Sequence, residues 1–392
     1  MDALILSAVR TPVGKFLGGL SYLPAPRLGA VAIAEAVARA GVRPTDVNEV
    51  IFGHVVQAGV GQAPARQAAL LAGLPDTIPA VTVNKVCGSG LKAVMLAAQA
   101  IRAGDADVIV AGGMESMSRA PYLLPNARTG FKYGDQKAVD ALVHDGLWCA
   151  IENWPMGDAA EHTAAQCGVG RADQDRFAAQ SHRRAAAAWE RGDFAAEVVP
   201  VTVGSGAKAQ TVTRDEGIRS ESTPEGLAKL RPAFKPDGTV TAGNASQLSD
   251  GAAAVVVASA RAAERLRAKP LARIVAYAAS GVAPKDLFIA PVSAVKMVCE
   301  KAKLSLADID LFEINEAFAA QMLACEGQLG LDEAKVNVNG GAIAIGHPIG
   351  ASGARVLTTL VHALHRRGLR HGLASLCLGG GNAVAMVVER VS

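Results

Sequence analysis

One succession of features occurs twice in this chain, and that repeat restricts its fold more than anything else. The first copy starts at Val83-Asn84 and passes Cys87 to Ser89-Gly90. A helical stretch then ends at Arg102-Ala103-Gly104, and a strand leads to Gly112-Gly113. The second copy starts at Val338-Asn339 and reaches Ser352-Gly353. Its helical stretch ends at Arg367-Gly368, and a strand leads to Gly379-Gly380-Gly381. Two homologous α/β halves joined face to face explain the shared order. Chance likeness between two Gly-Ala-rich segments is the alternative.

The wider pattern agrees with an α/β chain, because short β-branched runs alternate with longer Ala-rich stretches of helical period. Strands are predicted at residues 4–8, 49–52, 80–83, 108–111 and 253–258. A second series is predicted at 273–277, 311–314, 335–338, 373–376 and 383–388. Helices are predicted at 25–40, 89–103, 172–191, 293–302 and 352–367. Residues 119–245 break the pattern. They hold all three Trp and read as a loop-rich insertion of the kind that builds a binding site over a rigid scaffold. The expected organisation is a first half over 1–118 and 246–268, the insertion over 119–245, and a second half over 269–392.

Composition removes several function classes. Half of the 392 residues are hydrophobic and 19% are charged, so the chain can bury a large core and disorder is excluded. A net charge of +3 gives no reason to expect nucleic-acid binding. None of the six Cys forms a C-x-x-C pair, which speaks against a zinc site. The first residues do not read as a signal peptide, so none is expected, and no apolar run approaches the ~20 residues that span a bilayer. The expected setting is cytoplasmic, with reduced thiols. No G-x-S-x-G, Walker A or G-x-G-x-x-G motif is present, which weakens serine hydrolase, nucleotide hydrolase and dehydrogenase readings.

Four positions stand out at element ends. Cys87 lies between a predicted strand and a helix, where backbone N–H groups and the helix dipole favour a thiolate. A drop of about one and a half units from the ordinary thiol value would leave it roughly half ionised at neutral pH. The other reading of a lone Cys is a small buried hydrophobe. His347 sits in the turn Gly346-His347-Pro348-Ile349-Gly350, and an imidazole there can activate a thiol or donate to an oxyanion. Cys377 ends a strand before three glycines whose N–H groups can form an oxyanion hole, although a strand-end Cys before a tight turn is an equally simple account. Asn315 ends another strand, as a holder of water or carbonyl or as a helix N-cap. Two thiols, an imidazole and an amide together suggest acyl transfer with a thiol nucleophile and a second thiol as acid and base. His362 and His365 lack metal spacing and read as solvated helix positions. Asn244-Ala245-Ser246 matches a glycosylation sequon without a secretion signal to give it meaning.

The motif set resembles the thiolase family over essentially the whole chain. The matching segments are Arg10-Thr11-Pro12, Asn84-Lys85-Val86-Cys87-Gly88-Ser89-Gly90, Gly112-Gly113-Met114-Glu115-Ser116-Met117-Ser118 and Asn244-Ala245-Ser246. Asn315-Glu316-Ala317-Phe318-Ala319, Gly346-His347-Pro348 and Cys377-Leu378-Gly379-Gly380-Gly381 complete them. The resemblance implies duplicated βαβαβαββ halves in a five-layered α-β-α-β-α core. It implies that Cys87 carries the acyl group, that His347 activates it and then helps stabilise an enolate, and that Cys377 moves the α-proton. Asn315 would hold a water that completes one oxyanion hole with His347, and the N–H groups of Cys87 and Gly379 would form the other. The implied reaction joins two acetyl-CoA into acetoacetyl-CoA and CoA, reversibly, with no tightly bound cofactor and no metal. Ser246, Arg219, Leu147, Met156, Phe234, Ala242, Ala317 and Phe318 match positions that contact coenzyme A or line its tunnel.

Three departures touch the acyl pocket. Pro155 replaces a frequent His before Met156-Gly157, Gln247 replaces a frequent Gly, and Leu287-Phe288 replaces the Met-Gly common in short-chain synthetic enzymes. Residues 130–135 resemble the loop of the biosynthetic type, which implies short substrates and a homotetramer. The rival readings are a 3-ketoacyl-CoA thiolase for longer chains and a non-catalytic acyl-CoA binding protein. The intact catalytic set speaks against the second.

Overall fold

The computed structural model describes residues 2–391. The first half runs β1 (Ala3–Arg10), α1 (Ala25–Arg39), β2 (Glu49–Gly53), α2 (Pro64–Leu71), β3 (Ala80–Val83), α3 (Ser89–Ala103) and β4 (Val108–Ser116). The chain then leaves the sheet, forming α4 (Met156–Cys167), α5 (Arg171–Glu190) and short two-stranded ribbons. It returns as β5 (Ser249–Ser259) and α6 (Ala260–Leu266). The second half runs β6 (Ala272–Gly281), α7 (Ala290–Ala302), β7 (Leu311–Ile314), α8 (Ala319–Leu329), α9 (Ser352–Arg367), β8 (His371–Leu378) and β9 (Asn382–Arg390).

Strand order shows the duplication. The first half pairs as β3-β2-β4-β5-β1, with β2 parallel to β3 and β4 and the other pairs antiparallel. The second half pairs as β7-β8-β9-β6, with β7 parallel to β8. The place taken by β3 in the first half is held in the second by a single bridge from Val336 to Phe312. A strand was expected over 335–338. Instead Glu333–Lys335 form a 3-10 turn capped by the Asp332 side chain, and Asn337 takes a left-handed φ of 44°. The Asn337 amide then replaces the lost ladder, accepting from Ile314 N at 2.9 Å and donating to Ile314 O at 2.8 Å. The two sheets meet where β1 pairs with β6, at Leu4–Arg273 and Ile5–Ala272.

Three apolar clusters define five layers. One joins α1, α2 and α6 to the outer face of the first sheet. A second joins α7 and α8 to the outer face of the second sheet. The third lies between the sheets and is built around α3 and α9. A helix enclosed between two sheets has no face for water, and residues 352–361 of α9 are all buried. His362 and His365 are not solvated as expected. They reach the carbonyls of Ala8 at 2.8 Å and Leu271 at 2.6 Å, because α9 has sheet on both sides.

The repeated Ser-Gly pairs show why the copies carry glycine there. A Cβ on Gly90 would lie 2.7 Å from Ala354 N, and one on Gly353 would lie 2.9 Å from Leu91 Cβ. The first turns of α3 and α9 therefore touch backbone to backbone, which only glycine permits. That contact brings the segments before both helices, one with Cys87 and one with His347, to the same point of the molecule. Gly112 and Gly113 were expected to follow a strand. They lie inside β4, which continues to Ser116 through pairing with β5. No helix among the described residues is long and apolar enough to cross a membrane.

Candidate active site

The Cys87 turn is held by its own side chains. Ser89 Oγ donates to Val86 O at 2.6 Å and accepts from Lys85 N at 2.8 Å, while Val86 N donates to Asn84 Oδ1 at 3.0 Å. Val86 adopts φ 47°, a left-handed value that is costly for a β-branched residue, by about 1–3 kcal/mol. Such strain persists only where neighbours over-determine it. Here Leu378 covers Gly88 so closely that a Cβ would collide with it.

The second repeat supplies the rest. Cys377 is buried at the end of β8. Beyond it Gly380 and Gly381 take φ of 80° and 83°, which lets the chain reverse. The N–H groups of Gly379 and of Cys87 itself lie against the Cys87 sulfur. His347 is buried, with its backbone N–H shared between Gln247 O and Ser249 Oγ, both at 3.1 Å. Its Nδ1 lies 2.6 Å from Ser352 Oγ, which is also 2.9 Å from Pro348 O. The Asn315 amide nitrogen lies 3.4 Å from both ring nitrogens. Asn315 is no helix cap, since α8 begins at Ala319, four residues later.

Burial sets the proton positions. It pushes the Cys87 thiol up to about 12, the two N–H groups acting in the opposite sense and the charge of Glu115 adding to the rise. The expected depression of this thiol is thus reversed. The helix end and the N–H groups do oppose ionisation loss, but desolvation of a thiolate in an apolar cavity outweighs them. Burial also raises the Cys377 thiol well above its ordinary value, with Cys87 as the next cause. Burial, and then the charge of Arg355, takes His347 down to about 3. The resting site therefore holds two thiols and a neutral imidazole.

These groups open on one largely apolar cavity of about 470 Å³. Cys87, His347, Cys377 and Gly379 border it, as do Ser246, Leu147, Met156, Phe234, Ala242, Ala317 and Phe318. Pro155, Gln247, Leu287 and Phe288, the positions that depart from the usual pattern, border it too. Phe288 meets Phe318 edge-on, with centroids 5.2 Å apart. Asn315 reaches the site through His347 and is not part of the wall. Arg219 is not brought to the cavity. It is exposed on the insertion, its N–H donating to His182 Nδ1 at 3.1 Å. Asn244 is fully buried, and its amide donates to Asp175 and Thr239 O, so it cannot carry a glycan.

Sequence reasoning passed over the groups that hold His347. Ser352 was read only as a repeat marker, and Ser249 not at all. A hydroxyl in the first turn of a helix five residues after a turn His is the signal that was available for Ser352. Gln247 is also more than a tunnel residue. Its amide donates to Gly217 O and Ile343 O, both at 2.9 Å, tying the insertion to the turn before His347.

Known proteins agree with this arrangement. The profile of the thiolase N-terminal domain matches residues 3–261, and that of the thiolase C-terminal domain matches residues 268–390. An acetyl-CoA acetyltransferase of Cupriavidus necator is 56% identical over 391 residues, covering 99% of both chains. One of Escherichia coli K12 is 54% identical over 392 residues, covering 100% of both. A crystal structure of the Bacillus anthracis acetyl-CoA acetyltransferase superposes with a TM-score of 0.98 at 45% identity, covering 100% of this chain and 99% of that one. With both domain profiles matched in order, the duplicated halves in place and full-length relatives above half identity, this chain belongs to the thiolase family.

Proposed function

We infer that this chain is an acetyl-CoA C-acetyltransferase that interconverts two acetyl-CoA with acetoacetyl-CoA and CoA. The observation that carries the reading is that two thiols from opposite repeats, Cys87 and Cys377, open with His347 on a single apolar cavity. One thiol would suffice for hydrolysis or simple transfer. A second, in position to move a proton at carbon, is what a Claisen condensation needs.

The chemistry starts from neutral groups. The Ser352 hydroxyl has one hydrogen. Directed to Pro348 O, it leaves Nδ1–H of His347 to donate to Ser352 and Nε2 free to accept. In acylation the Cys87 proton passes to Nε2 as the sulfur attacks the acetyl carbonyl. The N–H groups of Cys87 and Gly379 receive the developing oxyanion. The CoA–acyl bond breaks, and the CoA sulfur takes its proton from Cys377. The Cys377 thiolate then removes a methyl proton from a second acetyl-CoA, and protonated His347 with Asn315 steadies the enolate. Carbon–carbon bond formation expels the Cys87 thiolate, which recovers the proton from His347. The thiols and the imidazole end as they began.

Ser246, Leu147, Met156, Phe234, Ala242, Ala317 and Phe318 would hold the pantetheine arm, and Arg219 the distant phosphate end of coenzyme A. The exposed Tyr122, Leu124, Phe131 and Tyr133 of the insertion support a homotetramer. The reading implies a cytoplasmic enzyme.

Mass spectrometry after incubation with acetyl-CoA tests the mechanism. An acetyl adduct is expected on Cys87 and none in Cys87→Ala. Cys377→Ala should still acylate, more slowly because the leaving CoA sulfur has lost its proton donor, but fail to condense. An unmodified Cys87 in the wild-type enzyme would refute the mechanism.

A further inference from the structure

The segment from Gly112 to Ser118 contains a buried carboxylate, Glu115, that the mechanism does not use. Every Glu115 contact is internal. Its Oε2 accepts from Gly350 N at 2.9 Å and from Val55 N at 3.1 Å. Its Oε1 accepts from Val56 N at 3.3 Å and meets His54 Nε2 at 3.1 Å. Glu115 is 0% exposed and His54 is 1% exposed. Gly350 lies in the second half, in the turn that carries His347, two residues before Ser352. The carboxylate is thus a clamp between β4 of one half and the catalytic turn of the other.

The other end of the turn is held differently. Glu316 Oε2 accepts from Ile343 N at 3.1 Å and from Ser181 Oγ at 2.6 Å. The catalytic turn hangs between two buried carboxylates, one from each repeat. The ionisable groups that feel the charge of Glu115 are Cys87, at the start of α3, and Asp250 of β5, besides its partner His54.

We infer that Glu115 is a positioning residue for the condensation: it fixes the His347 turn against the first half. The inference rests on Cys87 and His347 being the nucleophile and its base. A carboxylate accepting several backbone N–H groups is a stiff anchor, since each bond is charge-assisted and none is lost to water.

Two variants test the clamp. Glu115→Asp keeps the charge but withdraws it by one methylene from Gly350. Glu115→Gln keeps the length but removes the charge and sets an amide donor against N–H donors. For Asp, kcat should fall about 10- to 100-fold with KM for acetyl-CoA within about twofold. For Gln, kcat should fall similarly, again with KM within about twofold. Circular dichroism and the melting temperature show which variants fold, and Glu115→Asp decides alone, through its kcat and KM, should Glu115→Gln not fold. Retention of kcat within about threefold in either variant overturns the inference. An absent acetyl adduct in the wild-type enzyme overturns the underlying reading instead. An adduct that forms normally while the Glu115 variants behave as wild type overturns this inference alone.

Discussion

Replacing Gly113 by Ala should uncouple catalysis from folding. Gly113 is buried in the middle of β4, on the face toward the catalytic turn. A Cβ there would overlap the Gly350 carbonyl oxygen, and it would lie 2.9 Å from Gly350 C and 3.1 Å from Ala351 Cα. Ordinary contact begins at 3.4 Å, so the carbon atoms alone require about 0.5 Å of retreat and the oxygen requires more. The retreating atoms lie between His347 and Ser352, whose hydroxyl is 2.6 Å from Nδ1. A displacement approaching an ångström at a general base costs on the order of a hundredfold in rate, equivalent to about 2.7 kcal/mol in the barrier. Overpacking a buried site costs about 1–3 kcal/mol of stability. Gly112→Ala is the control. Its Cβ would lie 2.8 Å from Phe52 Cε2 and 2.9 Å from Ala254 Cα, on the opposite face of β4. Both variants should therefore lose similar stability in thermal unfolding, whereas only Gly113→Ala should lose kcat in thiolysis of acetoacetyl-CoA, with little change in KM. Equal losses of kcat, or a Gly113→Ala enzyme within about threefold of wild type, would refute the reasoning.

The pH dependence should follow the buried imidazole. His347 is held down at about 3, mainly by burial, so the acid limb of kcat/KM should show no inflection near the ordinary histidine value, and a break there in the initial-rate profile would count against a neutral His347 base. The sign for stability is definite: the unfolded chain binds the extra proton first, so the His347 contribution is intact above the ordinary value and is lost as pH falls from there toward about 3, which urea unfolding at several pH values will register as a falling midpoint. Phe288→Ala should open the acyl end of the cavity, because Phe288 is buried against Phe318 there. The ratio of six-carbon to four-carbon 3-ketoacyl-CoA turnover should rise by at least about tenfold, at a stability cost of about 3–5 kcal/mol; an unchanged ratio would show that Phe288 does not set chain length. Gly327→Ala, exposed within α8 with nothing within 4 Å of its Cβ, should raise the melting temperature through about 0.5–1 kcal/mol of added stability and leave activity untouched; a lower melting temperature would mean that the helix backbone there is not regular.

Periodicity located most of the scaffold. The strands at 80–83 and 311–314 and the helices at 89–103 and 352–367 end where the alternation of residue types predicts. Boundaries failed where a side chain replaced the backbone as hydrogen-bond partner. Asn337 does so at the missing strand, and its amide bonds to Ile314 are tertiary contacts that no local pattern contains. The helix α4 was missed because Pro155 and Met156-Gly157 read as loop, whereas Pro155 is its N-cap, in extended backbone just before the first helical residue.

By itself the sequence determined the duplication, the residue types of the site and the family they resemble, because spacing along the chain is enough to recognise a repeat and a motif. It could not determine how these groups behave. Whether Cys87 ionises depends on how much water burial removes, and here burial outweighs the helix end that the local sequence advertises. Which groups orient His347 depends on contacts from Gln247, Ser249 and Ser352, and Glu115 reaches its turn across 235 positions of chain. Only the tertiary structure decided these, since the meeting of α3 and α9 at Gly90 and Gly353 converts two distant turns into one site.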